Sequence, residues 1–369
     1  MDRSKRRWLS RAGALAVTVG LGVAVAQAQQ EIKIGCGMAL TGGLAANGKA
    51  ALIAMEIWAD DVNARGGLLG RKVKLICYDD QTNPATIPGI YTKLLDVDKV
   101  DLVVSGYGTN LIAPAMPIVM QRNLMFMTLF GLDVNAKFKY DRYFQIMPAG
   151  PEPAVDWSRG FFDAAMSLNP KPTTVALVGA DAEYPHAALI GARFHAQTHR
   201  LKIVYDKTYP PNTVDYSPIV RAIQATNPDL VFVASYPPDT AGMVRAANEV
   251  GLRTKMFGGG MVGTQFAAFK TQLGPLLNGV TNYEFWTPEA AGKLPFVSRF
   301  LVKYQARAAK EKVDPLGYYL PPYSYAMMEV VEQAIEGTKG LDQKKLAEYI
   351  HANEFSTAVG VVRFAKNGE

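Results

Sequence analysis

The sequence predicts an α/β protein of two lobes, each a mainly parallel sheet flanked by helices, the two joined by a multi-strand hinge. Three observations lead there. From Glu31 onward, short apolar and β-branched runs alternate with longer stretches of helical period, as expected of parallel strands joined by covering helices. The alternating series occurs twice, the second beginning near Ala154. The chain of 369 residues is 49% hydrophobic and 20% charged, which suits two folded domains and excludes a disordered or collagen-like polymer.

The first series opens with a strand at Ile32–Cys36, an amphipathic helix at Gly48–Asn63 closed by Arg65-Gly66-Gly67, and a strand at Lys72–Tyr78. Pro84–Asp96 is expected to be helical, Asp101–Ser105 a strand, Ala113–Arg122 a helix and Leu124–Leu129 a strand. The second series runs from a helix at Ala154–Leu168 through strand Thr174–Val178, helix His186–Arg200 and strand Lys202–Tyr209. It continues with helix Ser217–Thr226, strand Leu230–Ala234, helix Thr240–Val250 and a short strand at Met256-Phe257. Helical periods return at Phe296–Lys312, Tyr323–Gly337 and Leu341–Ala352. At least the first two of these need a sheet face to cover and are assigned to the first lobe. The chain then crosses between lobes around Ile146–Gly150, around Asn278–Tyr283 and after His351. The expected division is 29–148 with 281–351 as lobe 1, and 149–280 with 352–369 as lobe 2.

Residues 1–28 read as a cleavable leader. Arg3, Lys5, Arg6, Arg7 and Arg11 precede an uncharged run from Ala12 to Val25, followed by Ala26-Gln27-Ala28. A basic segment, a short apolar run and a small-x-small site are the three parts of a secretory signal, and the run is too short to span a bilayer. Arg6-Arg7 also fits twin-arginine export. The formal charge of +6 falls to about +2 once the leader goes, which removes the case for nucleic-acid binding. The two cysteines, Cys36 and Cys77, fall on neighbouring strands and are expected as two buried thiols, because a direct bond between parallel neighbours is awkward.

Ligands of open parallel sheets bind at the carboxyl ends of the strands. The loops there are rich in hydroxyls, amides, glycines and tyrosines and nearly free of catalytic pairs, a composition for holding a ligand rather than cutting it. Thr109 or Asn110 is placed to cap the helix after Gly106-Tyr107-Gly108 and leave backbone N–H groups for an anion. Tyr184 and Tyr236 follow equivalent strands and offer rings. Enzyme signatures are weak. Gly35-Cys36-Gly37 lacks the third glycine of a dinucleotide loop. His195 and His199, four apart, read as a solvated helix face rather than a metal site, and Asp79-Asp80 as a turn cap rather than a catalytic pair. No cofactor and no metal are expected.

These residues resemble the periplasmic solute-binding proteins of branched-chain amino acid type, which serve ABC importers and share the type I Venus-flytrap fold. The resemblance spans nearly the whole mature chain. It rests on Ile32-Lys33-Ile34-Gly35 with Thr41-Gly42, the run Asn63–Arg71 followed by Tyr78-Asp79-Asp80, Asp215-Tyr216-Ser217 and Asn227-Pro228-Asp229. It implies a monomeric periplasmic binding protein, not an enzyme, with a small-molecule ligand and with permease and ATPase partners at the inner membrane. By the same resemblance, Asn110 stands where a Ser meets the ligand carboxylate. Thr128, Phe130, Gly131 and Leu132 align with a loop that contacts ligand through backbone and Thr groups. Tyr184 and Tyr236 are tyrosines that close over it, while Asn47 and Tyr319 lie where side-chain contacts vary.

Two departures matter. Amino-acid binders place an acidic residue after a second-lobe strand to pair the ligand ammonium, and Gly260 stands there in Gly258-Gly259-Gly260-Met261. A small solute without an ammonium, such as an aromatic or other carboxylic acid, is therefore expected ahead of a branched-chain or other amino acid; a sensory binding module and an exported enzyme are further alternatives. Family members also continue beyond the strand matching Val359–Phe364, and the resemblance therefore implies either a shortened sequence or a second lobe lacking an edge element. Export in a Gram-negative host should yield a chain beginning at Gln29 by intact mass and N-terminal sequencing; a retained Met1 would contradict the leader assignment.

Overall fold

The computed structural model describes residues 30–285, 289 and 295–369, so the leader expected at 1–28 lies outside the described residues. The first lobe takes β1 (Ile32–Met38), α1 (Ala45–Ala64), β2 (Val73–Asp79), α2 (Ile87–Asp96) and β3 (Leu102–Ser105). It adds α3 (Thr109–Ile112), α4 (Met116–Gln121), β4 (Phe126–Thr128), α5 (Val134–Phe138) and β5 (Tyr143–Gln145). Its sheet is parallel, in the order β2-β1-β3-β4-β5.

The second lobe takes α6 (Pro153–Met166), β6 (Thr174–Ala180), α7 (Glu183–Thr198), β7 (Lys202–Tyr209) and α8 (Ser217–Ala225). It continues through β8 (Leu230–Ser235), α9 (Pro237–Val250), β9 (Met256–Met261), α10 (Ala267–Leu273) and β10 (Val280–Thr281). Its parallel order is β10-β9-β8-β6-β7. In both sheets the strand order reverses beside the lobe's first strand, between β1 and β3 and between β6 and β8. Loops diverge at such points and leave a crevice.

The two short strands β5 and β10 were not legible in the sequence. Tyr143-Phe144-Gln145 follows Lys139, Asp141 and Arg142, and the two residues of β10 carry no period at all. The long elements form where the hydrophobic pattern places them, because α1 buries most of its length. Gly48 lets α1 press on the end of β1, since a Cβ there would lie 2.0 Å from the Ala39 carbonyl oxygen.

After β10 the chain returns to the first lobe with α11 (Pro295–Glu311), α12 (Leu320–Thr338) and α13 (Gln343–Ala352). The Ser324 hydroxyl donates to the Ala51 carbonyl at 2.9 Å, and the Trp58 indole N–H donates to Glu332 at 2.8 Å. This is the expected covering of the first sheet by returning helices.

A third crossing after His351 does not occur among the described residues. The hairpin β11 (Phe355–Thr357) and β12 (Gly360–Val362) packs on α12. Phe364 sits against Phe144, with ring centroids 5.4 Å apart. The tail then runs beside the open edge of β5, where Gln145 N–H donates to the Gly368 carbonyl at 2.8 Å and the Asn135 amide to Asn367 at 2.8 Å. An unpaired sheet edge needs cover, so residues 355–369 belong with the first lobe and not, as expected, with the second.

The cysteine expectation is also overturned. Cys36 and Cys77 are joined in a disulfide, with Cα atoms 4.5 Å apart, because the β1–β2 register sets them directly opposite each other. Opposed residues project to the same face of the sheet, within disulfide reach. Closing this loop stabilises the fold by about 3–4 kcal/mol on a chain-entropy account. The helix face carrying the histidines is not solvated as expected. His195 is buried, its ring stacked on Phe162 and its Nε2 paired with the Val155 carbonyl at 2.9 Å. No cluster of potential metal ligands is found among the described residues.

Burial pushes the Glu329 carboxyl on α12 up to about 7, against the pull of a hydrogen bond from Ala358 N–H. The folded state therefore holds a proton that the unfolded chain releases near pH 4.5, so this group's contribution is complete below pH 4.5 and lost as pH rises through 7. Urea unfolding of Glu329→Gln from pH 4.5 to 8 should show the variant gaining on the parent as pH rises; a constant difference would contradict this.

Candidate ligand-binding cleft

The loop from Leu40 to Leu44 joins β1 to α1 at the crevice, and Asp79 holds it. Its carboxylate accepts from Leu40 N–H at 3.0 Å, Thr41 N–H at 3.1 Å and Gln81 N–H at 2.8 Å, and from the Thr41 hydroxyl at 2.7 Å. Desolvation acts upward on this group, but the four donors outweigh it and hold its carboxyl below the usual range. Asp80 is buried, and desolvation pushes it up to about 6 while it accepts from Thr82 N–H at 2.8 Å. The acidic pair thus serves the turn, as expected.

Between the sheets lies a layer of rings drawn from both lobes. Tyr107 stacks near Phe130, centroids 6.2 Å apart, and Phe130 meets Trp157 from the first turn of α6 at 5.0 Å. Trp157 also meets Tyr283 at 4.6 Å and Phe285 at 5.7 Å on the crossing segment after β10. Tyr319, preceding α12, closes the ring set against Tyr107, Phe266 and Phe285.

The hydroxyls of Tyr107 and Tyr319 share a hydrogen bond of 2.8 Å. Burial holds the phenols of Tyr107, Tyr184, Tyr236, Tyr283 and Tyr319 above their ordinary range, so they remain neutral. Among the described residues the rings and hydroxyls of this layer carry no charge of their own, and the Glu284–Lys270 ion pair stands beside them.

Contacts across the gap are direct. The Tyr236 hydroxyl donates to Asn110 Oδ1 at 3.3 Å. Pro238 lies against Gly43. A cavity of about 810 Å³ opens beside them, lined among others by Leu44, Asn110, Glu183, Val214 and Tyr236.

The expected site residues divide into those that reach the gap and those that support it. Phe130, Tyr184, Tyr236, Tyr319 and Asn110 come together at the interlobe layer. Thr128, Gly131 and Leu132 do not offer their polar groups to it as expected. The Thr128 hydroxyl donates to Phe144 O at 2.9 Å, Gly131 N–H to Gln145 at 2.7 Å and Leu132 N–H to the Thr109 hydroxyl at 2.9 Å. Buried donors must be paired, and here the loop satisfies itself, so Phe130 is its contribution to the gap. Nor does Thr109 or Asn110 cap α3, because Gly108 occupies that position with φ of 114°.

Gly260 is closed over. Its carbonyl accepts from the Tyr184 hydroxyl at 2.9 Å, and a Cβ at that position would lie 3.0 Å from Val233 O and 3.3 Å from the same hydroxyl. An acidic side chain there would displace Tyr184. Three carboxylates near the layer are placed or paired otherwise: Glu284, between Tyr283 and Phe285, is paired with Lys270 at 2.5 Å. Glu183 is exposed at the cavity rim, and Asp239 accepts from the Tyr216 hydroxyl at 3.0 Å.

The sequence reading missed Tyr107, Trp157, Tyr283 and Phe285. Tyr107 lay in a loop already singled out for its position, but Trp157, Tyr283 and Phe285 sit at the hinge crossings, where no strand-end rule points.

The family described as periplasmic binding protein matches residues 31–369. The Leu/Ile/Val-binding protein homolog 8 of Brucella abortus (strain 2308) is 24% identical over 353 residues, covering 92% of this chain and 85% of its own. The solved leucine binding protein LivK of Thermotoga maritima MSB8 superposes with a TM-score of 0.78 at 19% identity, covering 91% of this chain and 92% of its own. A solute-binding protein of R. palustris solved with benzoate gives 0.76 at 15% identity, over 92% and 90%.

Asp79→Ala removes four hydrogen bonds from the loop that begins the crevice. Urea unfolding should register a loss of about 1–3 kcal/mol; an unchanged midpoint would show that the loop is held by other means.

Proposed function

The chain belongs to the periplasmic binding protein family, and from that premise we propose that it is the solute-binding component of an ABC importer, closing on a small aromatic carboxylic acid that lacks an ammonium group. Proteins of this shared fold include one named for leucine and one solved with benzoate, so the fold does not choose between them. The side chains in the gap favour the second.

The observation that carries this reading is the closure of Gly260 by Tyr184 within a layer of rings that carry no charge of their own. An ammonium buried there without a counter-charge would lose several kcal/mol, a large part of the roughly 8 kcal/mol that a micromolar site provides. A planar ring instead gains from each aromatic neighbour about 0.5–1.5 kcal/mol. Its carboxylate would face the Thr109–Asn110 turn at the cavity.

Binding of this kind needs no covalent chemistry. Ligand contacts to both lobes shift an open–closed equilibrium toward the closed form, and that form would dock on the permease. The Cys36–Cys77 disulfide fits an oxidising extracytoplasmic compartment. No helix among the described residues is long and apolar enough to cross a membrane.

Titration calorimetry of the purified protein against benzoate and leucine decides the question. Benzoate should bind with micromolar or tighter affinity and leucine at least about 100-fold more weakly; tight leucine binding would overturn the assignment.

A further inference from the structure

Gln145 ends β5 and is buried, and its side chain is used to capacity. Oε1 accepts from Gly131 N–H at 2.7 Å and from the Tyr143 hydroxyl at 3.1 Å, while Nε2 donates to the Met147 carbonyl at 2.9 Å and to Glu369 at 3.4 Å. A primary amide has two lone pairs and two protons to offer, and each is matched. The orientation is fixed too, because an amide turned over would set its N–H groups against the Gly131 N–H. An apolar side chain would fill this space without the cost of burying polar atoms. What the amide adds is a bond between the two segments on either side of it.

Those segments carry two rings that face each other across the gap. Gly131 follows Phe130, and the other side of that loop is held where Gly108 N–H donates to the Phe130 carbonyl at 3.0 Å. Met147 begins the crossing into the second lobe, and its N–H donates to the Leu129 carbonyl at 3.2 Å. The chain then runs through Gly150 into α6, which carries Trp157. Phe130 and Trp157 meet with centroids 5.0 Å apart. One amide thus ties the loop that presents the first lobe's ring to the crossing that leads to the second lobe's.

We infer that Gln145 is a positioning residue for ligand capture. Its amide fixes Phe130 relative to the crossing, so the ring stands in the gap where closure brings Trp157. This rests on the reading above, that a ring-bearing acid is held in this layer, and adds a residue outside the layer that sets its shape. Gln145 acts through Phe130 and not by touching the ligand.

The test is a double-mutant cycle read by calorimetry with benzoate on the full mature protein: the parent, Gln145→Met, Phe130→Leu and the two combined. Met is unbranched like Gln and apolar, so it keeps the packing and removes the bonds. Gln145→Met should weaken benzoate about tenfold in the parent and less than about twofold in the Phe130→Leu background, since a residue that acts through Phe130 then has nothing left to place. A purely structural role would lower the melting temperature with affinity unchanged, or weaken benzoate equally in both backgrounds. Either result would overturn the inference and leave the aromatic-acid reading standing. Thermal unfolding checks that Gln145→Met folds; if it does not, Gln145→Asn takes its place, keeping the amide on a side chain one methylene too short to reach both segments. Failure of the parent to bind benzoate would overturn the aromatic-acid reading and this inference together.

Discussion

Among the described residues the two lobes meet through a buried layer of aromatic rings that carry hydroxyls but no charge of their own, and the proposed ligand preference rests on that constraint. A low-dielectric gap penalises an unpaired ion heavily, so what the layer accepts is set by what it can neutralise. Tyr184 makes the point in a single contact. By donating to the Gly260 carbonyl it closes over that position and takes the room a Cβ would need.

The scaffold positions this layer from both sides. Two parallel sheets aim the carboxyl ends of β1, β3, β6 and β8 at one crevice. Asp79, Thr109 and Gln145 spend their polar groups on holding loops in place. In this chain, then, the loops are fixed by internal hydrogen bonds, and the rings between them are what face the gap.

The long elements of both lobes were legible in the sequence because they are long, apolar stretches bounded by turn residues. α1, α7, α12 and strands β6, β7 and β8 were read from length and composition together, whereas β9 was read only at Met256-Phe257 because Gly258-Gly259-Gly260 carry no side-chain pattern. β5 and β10 were not, since their strand character comes from lying beside an existing sheet. The destination of residues 355–369 depended on a tertiary fact, the open edge of β5, that no local pattern encodes. The cysteine pair was misread because the outcome depended on register, and a direct match between Cys36 and Cys77 is visible only once the strands are aligned.

Of the residues that meet at the interlobe layer, strand-end reasoning pointed to Tyr184 and Tyr236, and the family resemblance to Asn110, Tyr319 and Gly260. Trp157, Tyr283 and Phe285 lie on segments that pass between lobes, where sequence gives no positional rule. A crystal structure of the protein grown with benzoate addresses the central claim most directly. The account predicts one ring held between the lobes among Tyr107, Phe130, Trp157 and Tyr319, with its carboxylate toward Asn110 and no protein carboxylate in contact. An empty gap with the acid bound elsewhere, or a carboxylate side chain turned into the gap beside the ligand, would contradict it.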